Sequence, residues 1–261
     1  MNQPLAFVHP QAKIASNVVI EPFVTIHKNV EIGEGTWIGS NVTIMEGARI
    51  GKNCRIFPGA VISAIPQDLK FEGEETLSII GDNVTIRECV TINRGTSASG
   101  KTVVGSNCLL MAYVHIAHDC KIDNNVIIAN CVNMAGHVEV GEYAIIGGIS
   151  AIHQFVHIGC HAMIGGGSLV RKDVPPFVKA AREPLTFVGI NSVGLRRRGF
   201  SSEKINEIQS IYRILYQMKK NTSQALEIIE AELKASSERD DIILFIRNAS
   251  RGIMKGYYSF E

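Results

Sequence analysis

The sequence is poor in aromatic residues, at 7% with a single tryptophan among 261 residues, so a large aromatic core does not hold this chain together. It also lacks an excess of charge. Lys and Arg number 26 against 25 Asp and Glu, a net charge of +1, which argues against a globally basic nucleic-acid binder. No stretch approaches the ~18 uninterrupted apolar residues of a membrane span, and the opening Met-Asn-Gln-Pro-Leu-Ala lacks the charged and apolar regions of a signal peptide. No membrane insertion and a cytoplasmic location are therefore expected. The six cysteines, at 54, 89, 108, 120, 131 and 160, form no C-x-x-C pair, so reduced, packed thiols are expected. Neither a G-x-S-x-G elbow nor a Walker-type phosphate loop is present.

Isoleucine and valine are abundant, and they are periodic. Stepping by six from Val8 gives Ile14, Ile20, Ile26, Ile32, Ile38, Ile44, Ile50, Ile56 and Ile62 without a gap; the step resumes at Ile80, Ile86 and Ile92, then runs from Val104 to Val170. Of the 28 positions on this grid, 25 are Ile, Val, Leu or Met, the exceptions being Asp68, Glu74 and Ala98. Chance at this composition would fill fewer than about 13. A period of six fits neither the 3.6 of a helix nor plain alternation, but it fits a short strand and a corner repeated around a three-sided prism. Three residues past the aliphatic position stand Asn17, Asn29, Gly35, Asn41, Gly47, Asn53 and Gly59, residue types that tolerate a positive φ.

The pattern predicts a mainly β chain: a parallel β-helix over 1–175 with extruded loops at 63–79 and 93–103, a connector over 176–200, and a helical cap over 201–261. Apolar spacing in the cap (Ile205, Ile208, Tyr212, Leu215; Leu226, Ile229, Leu233; Ile242, Ile243, Ile246) predicts helices near 202–218, 223–235 and 238–254.

Six of the eight histidines lie between 115 and 161. With 18 residues per coil, Asp119 and His137 fall one coil apart, roughly 5 Å along the axis. His118 and Gln154 fall two coils apart with Gly136 between them, and His153 is one residue off that line. Asp119 and His137 sit at the corner position and could simply turn the chain, but His118 and His153 do not. Imidazoles beside a carboxylate suit general base catalysis, because imidazole titrates near neutral pH and the carboxylate fixes its tautomer. The spacings His115/His118 and His153/His157/His161 would suit a metal on a helix; on a prism these residues face different directions, so neither a metal nor a cofactor is expected without ligands from a neighbouring subunit. Cys120 falls on the wall, where packing is expected. Arg196, Arg197 and Arg198 form a compact positive patch, either a solvated charge run or a phosphate contact.

The hexads together with Gln67-Asp68-Leu69-Lys70, His115-Ile-Ala-His118-Asp119-Cys120, Ala135-Gly136-His137, His153-Gln154-Phe155 and Gly194-Leu195-Arg-Arg-Arg198-Gly199-Phe200 resemble the bacterial UDP-N-acetylglucosamine O-acyltransferases over nearly the whole chain. The resemblance implies a left-handed parallel β-helix, a homotrimer with its cleft between subunits, and transfer of an (R)-3-hydroxyacyl group from acyl carrier protein to the glucosamine 3-hydroxyl of UDP-N-acetylglucosamine in lipid A synthesis. It implies His118 as general base, Asp119 as its orienting group and the Gly136 N–H as support for the oxyanion. By the same resemblance Gln67, His115, His137, His153 and Gln154 contact the sugar nucleotide or its product, Asp68 and Lys70 hold the acyl or sugar end, and Asn191, Arg197 and Arg198 meet the nucleotide and diphosphate. Arg196 is expected to meet acyl carrier protein, and Gly166 to act as the stop that measures the acyl chain. Val193 departs from the family pattern, which has Glu there, and Asn93 stands where relatives often have His. A trimeric metalloenzyme resembling γ-class carbonic anhydrase and a non-catalytic binding scaffold are the competing readings.

Overall fold

The computed structural model describes residues 4–218 and 220–256. The end of the expected cap, 257–261, and the start of the expected β-helix, 1–3, lie outside them. Strands of mostly two residues recur every six residues and stack into three parallel sheets of nine, eight and eleven strands, here sheets A, B and C. The chain visits A, B and C in turn, as in Phe7–Val8, Lys13–Ile14 and Val19–Ile20, before returning to A at Thr25–Ile26. This is the parallel β-helix that the hexads predict, with the left hand that the resemblance implies.

Each short strand has one residue outward and one inward, and the inward residue is the grid aliphatic: Ile26, Ile44, Ile62, Ile92 and Ile116 form one buried column inside sheet A. Each such side chain contributes on the order of 1.5–3 kcal/mol by leaving water. The position two residues earlier is small and also inward, and it is here that Cys54, Cys108 and Cys120 are buried. Burial pushes the Cys108 thiol up to about 11 and the Cys120 thiol up to about 12, so these thiols pack and do not react.

At the corners, every hexad from Asn107 to Gly167 has a positive φ at the third residue past the aliphatic one, Tyr113, Cys131, Ile149 and Phe155 included. The geometry of the prism thus overrides side-chain preference, since a β-branched residue such as Ile149 disfavours that region. Asn17 differs from expectation. Phe23 carries the positive φ in that part of the chain, while the Asn17 Oδ1 accepts from the Gly35 N–H of the next coil at 3.1 Å.

Pairing records where the loops leave. Thr43 pairs with Val61 eighteen residues on, Val61 with Thr91 thirty on, Thr91 with His115 twenty-four on, and His115 with Asn133 eighteen on. Strands Val61–Ala64 and Leu77–Ile80 flank the first loop, and Thr91–Asn93 and Lys101–Val104 the second, so the extruded segments are 65–76 and 94–100. Both run from sheet A to sheet B. They therefore emerge at the same edge of the prism, the AB edge.

The connector is more ordered than a linker. Val178–Ala181 extends sheet C beside Met163–Ile164, Thr186–Ile190 folds back antiparallel to it, and helix α1 follows at Ser192–Arg197. Helices α2 (Ser202–Gln217), α3 (Thr222–Glu232) and α4 (Ser237–Asn248) make the cap, each with a side-chain N-cap, from Ser201, Asn221 and Ser236. Helix α4 stops six residues before the expected end because Gly252 takes φ +66 and the chain turns back to pair Lys255–Gly256 with Thr186–Phe187. Tyr212 is buried beneath the cap, its hydroxyl donating to the Pro176 carbonyl. No helix among the described residues is long and apolar enough to cross a membrane.

Candidate active site

Strand His115–Ile116 of sheet A ends at the AB edge, and the next residues round the corner. Asp119 is the corner residue, with φ 59°, as are His137 with φ 59° and Phe155 with φ 64° one and two coils on. They do turn the chain. Their stacking has a second effect, because it lays the side chains of successive coils against one another. The His137 ring stacks on Phe155 at 4.6 Å between centroids and meets the His118 ring edge-on at 5.2 Å.

His118 and Asp119 are both buried, at 7% and 8% exposed. The His118 Nδ1 lies 2.8 Å from the Asp119 Oδ2, leaving Nε2 to face the cleft, 3.9 Å from the Asp68 Oδ2. The Asp119 carboxylate accepts further bonds: Thr96 N–H at 3.0 Å and Ser99 Oγ on Oδ1, and Thr96 Oγ1 at 2.7 Å on Oδ2. Burial alone would push this carboxyl up, but the hydrogen bonds from Ser99, His118 and Thr96 outweigh it and hold the group at about 2. Asp119 is thus an anion placed to accept from Nδ1 of the imidazole, an arrangement that turns Nε2 toward the cleft.

Gly136 is required by contact. A Cβ there would lie 2.5 Å from the His118 Cε1 and 2.7 Å from its Nε2. The imidazole lies against the glycine backbone, whose N–H has no acceptor among the described residues.

A cleft of about 630 Å³ opens in front of His118, lined by Gln67, Asp68 and Lys70 from loop 65–76, by His115, Gly136 and Gln154, and by Asn93, Asn133 and Ala151. His115 bonds the Thr91 hydroxyl at 2.7 Å, and burial lowers its pKa, which keeps it neutral. His137 reaches the site through Asp119, its Nε2 3.7 Å from Oδ2. His153 does not join the lining; it is exposed, with its Nδ1 3.1 Å from the Gln154 carbonyl. The ligand atoms of His118, Asp119 and His137 lie within 4.8 Å of one another, close enough to share an ion. In this arrangement, however, Asp119 spends both oxygens on loop donors and Nδ1 of His118 is directed at it, which is the geometry of a hydrogen-bonded dyad.

The arginine patch stands on a different edge. Asn191 is 2% exposed and caps α1, its Oδ1 accepting from Gly194 N and its Nδ2 donating to the His161 carbonyl at 2.9 Å. Arg198 lies 5.0 Å over the Tyr143 ring and donates from Nη2 to the Tyr143 carbonyl, while its buried Nη1 has no partner among the described residues. Arg196 and Arg197 are exposed. Tyr143 and His161 are corner residues of the edge between sheets B and C, so within one chain the patch and His118 face apart.

Thr96 and Ser99 reach the site although sequence reasoning did not single them out, and Asn93, noted there only as a departure from the family pattern, lines the cleft. A signal for them exists: counting prism sides from Val8 assigns both loops to the edge of Asp119.

Comparison with known proteins gives one consistent result. A family model described as Udp N-acetylglucosamine O-acyltransferase, Domain 2, matches residues 173–254, one for the bacterial transferase hexapeptide matches 101–136, and one for the GMPPB C-terminal domain matches 2–104. An acyl-[acyl-carrier-protein]–UDP-N-acetylglucosamine O-acyltransferase of Thermodesulfovibrio yellowstonii is 48% identical, over 96% of this chain and 97% of its own. The solved UDP-N-acetylglucosamine acyltransferase of Bacteroides fragilis superposes with a TM-score of 0.96 at 54% identity, covering 98% of this chain and 100% of its own. That of Francisella novicida gives a TM-score of 0.95 at 43% identity, over 98% and 94%.

Proposed function

The chain belongs to the family of acyl-[acyl-carrier-protein]-dependent UDP-N-acetylglucosamine O-acyltransferases, and from that premise we propose a mechanism centred on His118. The enzyme transfers an acyl group from acyl carrier protein to UDP-N-acetylglucosamine in lipid A synthesis. The acyl group is an (R)-3-hydroxyacyl chain and the acceptor is the glucosamine 3-hydroxyl. His118 Nε2 takes the hydroxyl proton as the oxygen attacks the thioester carbonyl. The negative charge that forms on the carbonyl oxygen is met by the Gly136 N–H, and collapse of the adduct expels the carrier's thiolate, which takes the proton back from the imidazolium. Asp119 holds the ring in the productive tautomer. The observation that carries this reading is the buried 2.8 Å pair of His118 and Asp119 opening on a cleft of about 630 Å³.

Loop 65–76 brings Gln67, Asp68 and Lys70 to the sugar and acyl ends. Arg197 and Arg198 meet the nucleotide from a neighbouring subunit, with Arg196 placed toward the carrier protein, and Asn191, buried as the cap of α1, sets the turn that presents them. The unequal faces support a homotrimer. Sheet B presents Lys13, Glu31, Arg49, Lys121 and Glu139 outward with Ile79 and Val103 between them, a more wetted face, whereas sheet C presents Val19, Trp37, Leu109, Ile127, Ile145 and Met163 with Arg55 and Thr85 between them, and the edge between C and A presents Tyr113 and Ile149. Three prisms packed with sheet A of one against sheet C of the next cover those apolar surfaces and bring the BC edge of one subunit to the cleft of another.

The test is an acyl-transfer assay on purified protein with hydroxyacyl carrier-protein donors of several lengths. His118→Ala is expected to lose roughly 10²–10⁴-fold in kcat with an unchanged melting temperature; a variant keeping a tenth of the activity refutes the assignment.

A further inference from the structure

The loop 94–100 bends back over the AB edge and directs three donors at one carboxylate. The close approach depends on Gly95, where a Cβ would lie 2.2 Å from the Lys101 N. Thr96 donates twice, from N to Oδ1 and from Oγ1 to Oδ2 of Asp119, and Ser99 donates its hydroxyl to Oδ1. The loop is itself held by the first one: Thr76 Oγ1 donates to the Gly95 carbonyl at 2.6 Å, Ser97 N to Glu74 Oε1 at 3.0 Å, and the Arg94 guanidinium lies 5.3 Å over Phe71.

We propose that Thr96 and Ser99 are positioning residues for the reaction, fixing how strongly Asp119 draws a proton onto His118 and so setting the pH at which the base is free to act. This rests on the reading of His118 as the general base. A bare buried carboxylate at 2.8 Å from an imidazole would stabilise the imidazolium strongly, and a base already protonated at neutral pH cannot accept the sugar proton. Every other donor to that carboxylate drains its charge. With three loop donors in place the carboxylate still orients the ring but pulls less on the second proton. The groups facing the imidazole define the balance. Asp119 and Asp68 favour the cation, the latter with Oδ2 3.9 Å from Nε2, and His137 stands edge-on. Lys70 and His115 line the same cleft, the lysine opposing the cation. Around Asp119 the remaining neighbours are Thr102, whose Oγ1 accepts the Asp119 N–H at 2.8 Å, and the His137 ring.

The loop is braced backbone to backbone as well, the Gly95 N–H donating to the Leu77 carbonyl at 3.1 Å and the Leu77 N–H to the Gly100 carbonyl at 2.9 Å. Beyond that bracing, two hydroxyls and one amide converge on the group that touches the base, and the exposed Ser99, whose Oγ also lies 2.9 Å from the Lys101 carbonyl, has its closer contact with Asp119.

The experiment compares Ser99→Ala, Thr96→Val and Thr96→Ser in the full-length enzyme, measuring kcat and KM for both substrates from pH about 6 to about 9. Removing a donor leaves more charge on Asp119, favours the imidazolium, and moves the acid limb of kcat upward by roughly half to one pH unit. Below the limb kcat then falls about 3- to 10-fold and recovers on the alkaline side, KM stays within about twofold, and Thr96→Ser restores the limb. An unmoved limb with kcat lost equally at every pH, or Thr96→Ser as impaired as Thr96→Val, overturns the proposal. Should Thr96→Val fail to fold, the exposed Ser99→Ala decides alone. Failure of the underlying reading is separable: it is an active His118→Ala, whatever the limb does.

Discussion

Gly136 is glycine because an imidazole occupies the space of its side chain. Gly136→Ala places a methyl 2.5 Å from the His118 ring, which must swing off its bond to Asp119. The expected loss is on the order of 10²-fold in kcat with a fold that still melts cooperatively, checked by steady-state kinetics beside thermal denaturation. A second histidine answers to a different force. His161 stacks between Tyr143 and Phe177, its Nδ1 is buried without a partner among the described residues, and burial, aided by the Arg198 charge, lowers its pKa to about 4. Because the folded value lies below the ordinary 6.5, the unfolded chain binds the proton first as pH falls. Stability is therefore complete above about pH 6.5 and drains away as pH falls toward 4. His161→Phe keeps the stack and removes the titration, so its melting temperature should drop less between neutral pH and pH about 4.5, by roughly 5 °C. Equal drops would show that other groups carry the acid sensitivity.

At the scale of elements, the prism was legible because one inward aliphatic per six residues is a strong and local signal, and the cap because its apolar spacing is helical. What the sequence concealed depends on register. The insertions read as loops from the broken grid, yet their meeting over Asp119 follows only when sides are counted through Val61–Ala64 and Thr91–Asn93. The hairpin Val178–Ala181 with Thr186–Ile190 was hidden because it abandons the hexad while still extending sheet C. Asp119 and His137 show two demands met by one residue, a corner and a site, which spacing alone cannot separate. The short helix α1 has a prediction of its own. Arg198 is fixed over Tyr143 with one nitrogen unspent, and Arg197 is exposed beside it. Arg197→Ala and Arg198→Ala should weaken UDP-N-acetylglucosamine binding about tenfold each by isothermal titration, with Arg198→Lys no better than Ala because the stacked planar fork is lost. Arg196→Ala should chiefly raise KM for the acylated carrier protein. Unchanged affinity in the first two removes their phosphate role.

Across the whole molecule, we propose that the distance between His118 and Gly166 sets the preferred acyl-chain length. His118 stands at the AB edge and Gly166 beside the corner residue Gly167 on the edge between C and A, so a line joining them crosses the outward face of sheet A diagonally. Gly166 is 48 residues on, about 2.7 coils, hence some ~13 Å along the axis at ~4.8 Å per coil. That line passes Asn133 and Ala151, small side chains that leave a trough for an acyl chain, covered by sheet C of the next subunit in the proposed trimer. The backbone does not demand glycine at 166. Its φ is not in the left-handed region, unlike Gly167 at +70°, and an added Cβ would lie 3.2 Å from the Gly148 carbonyl oxygen, a tight contact that asks that carbonyl to give by a few tenths of an ångström. We propose that a side chain is absent there because a long hydroxyacyl chain must pass. Gly166→Met extends an apolar side chain across the trough and should shift preference to a shorter donor, cutting the rate with the long donor at least ~10-fold while sparing the shorter donor's own rate. Competition assays with carrier proteins bearing chains of graded length read this directly, and an equal loss at every length would assign Gly166 to folding and remove the ruler.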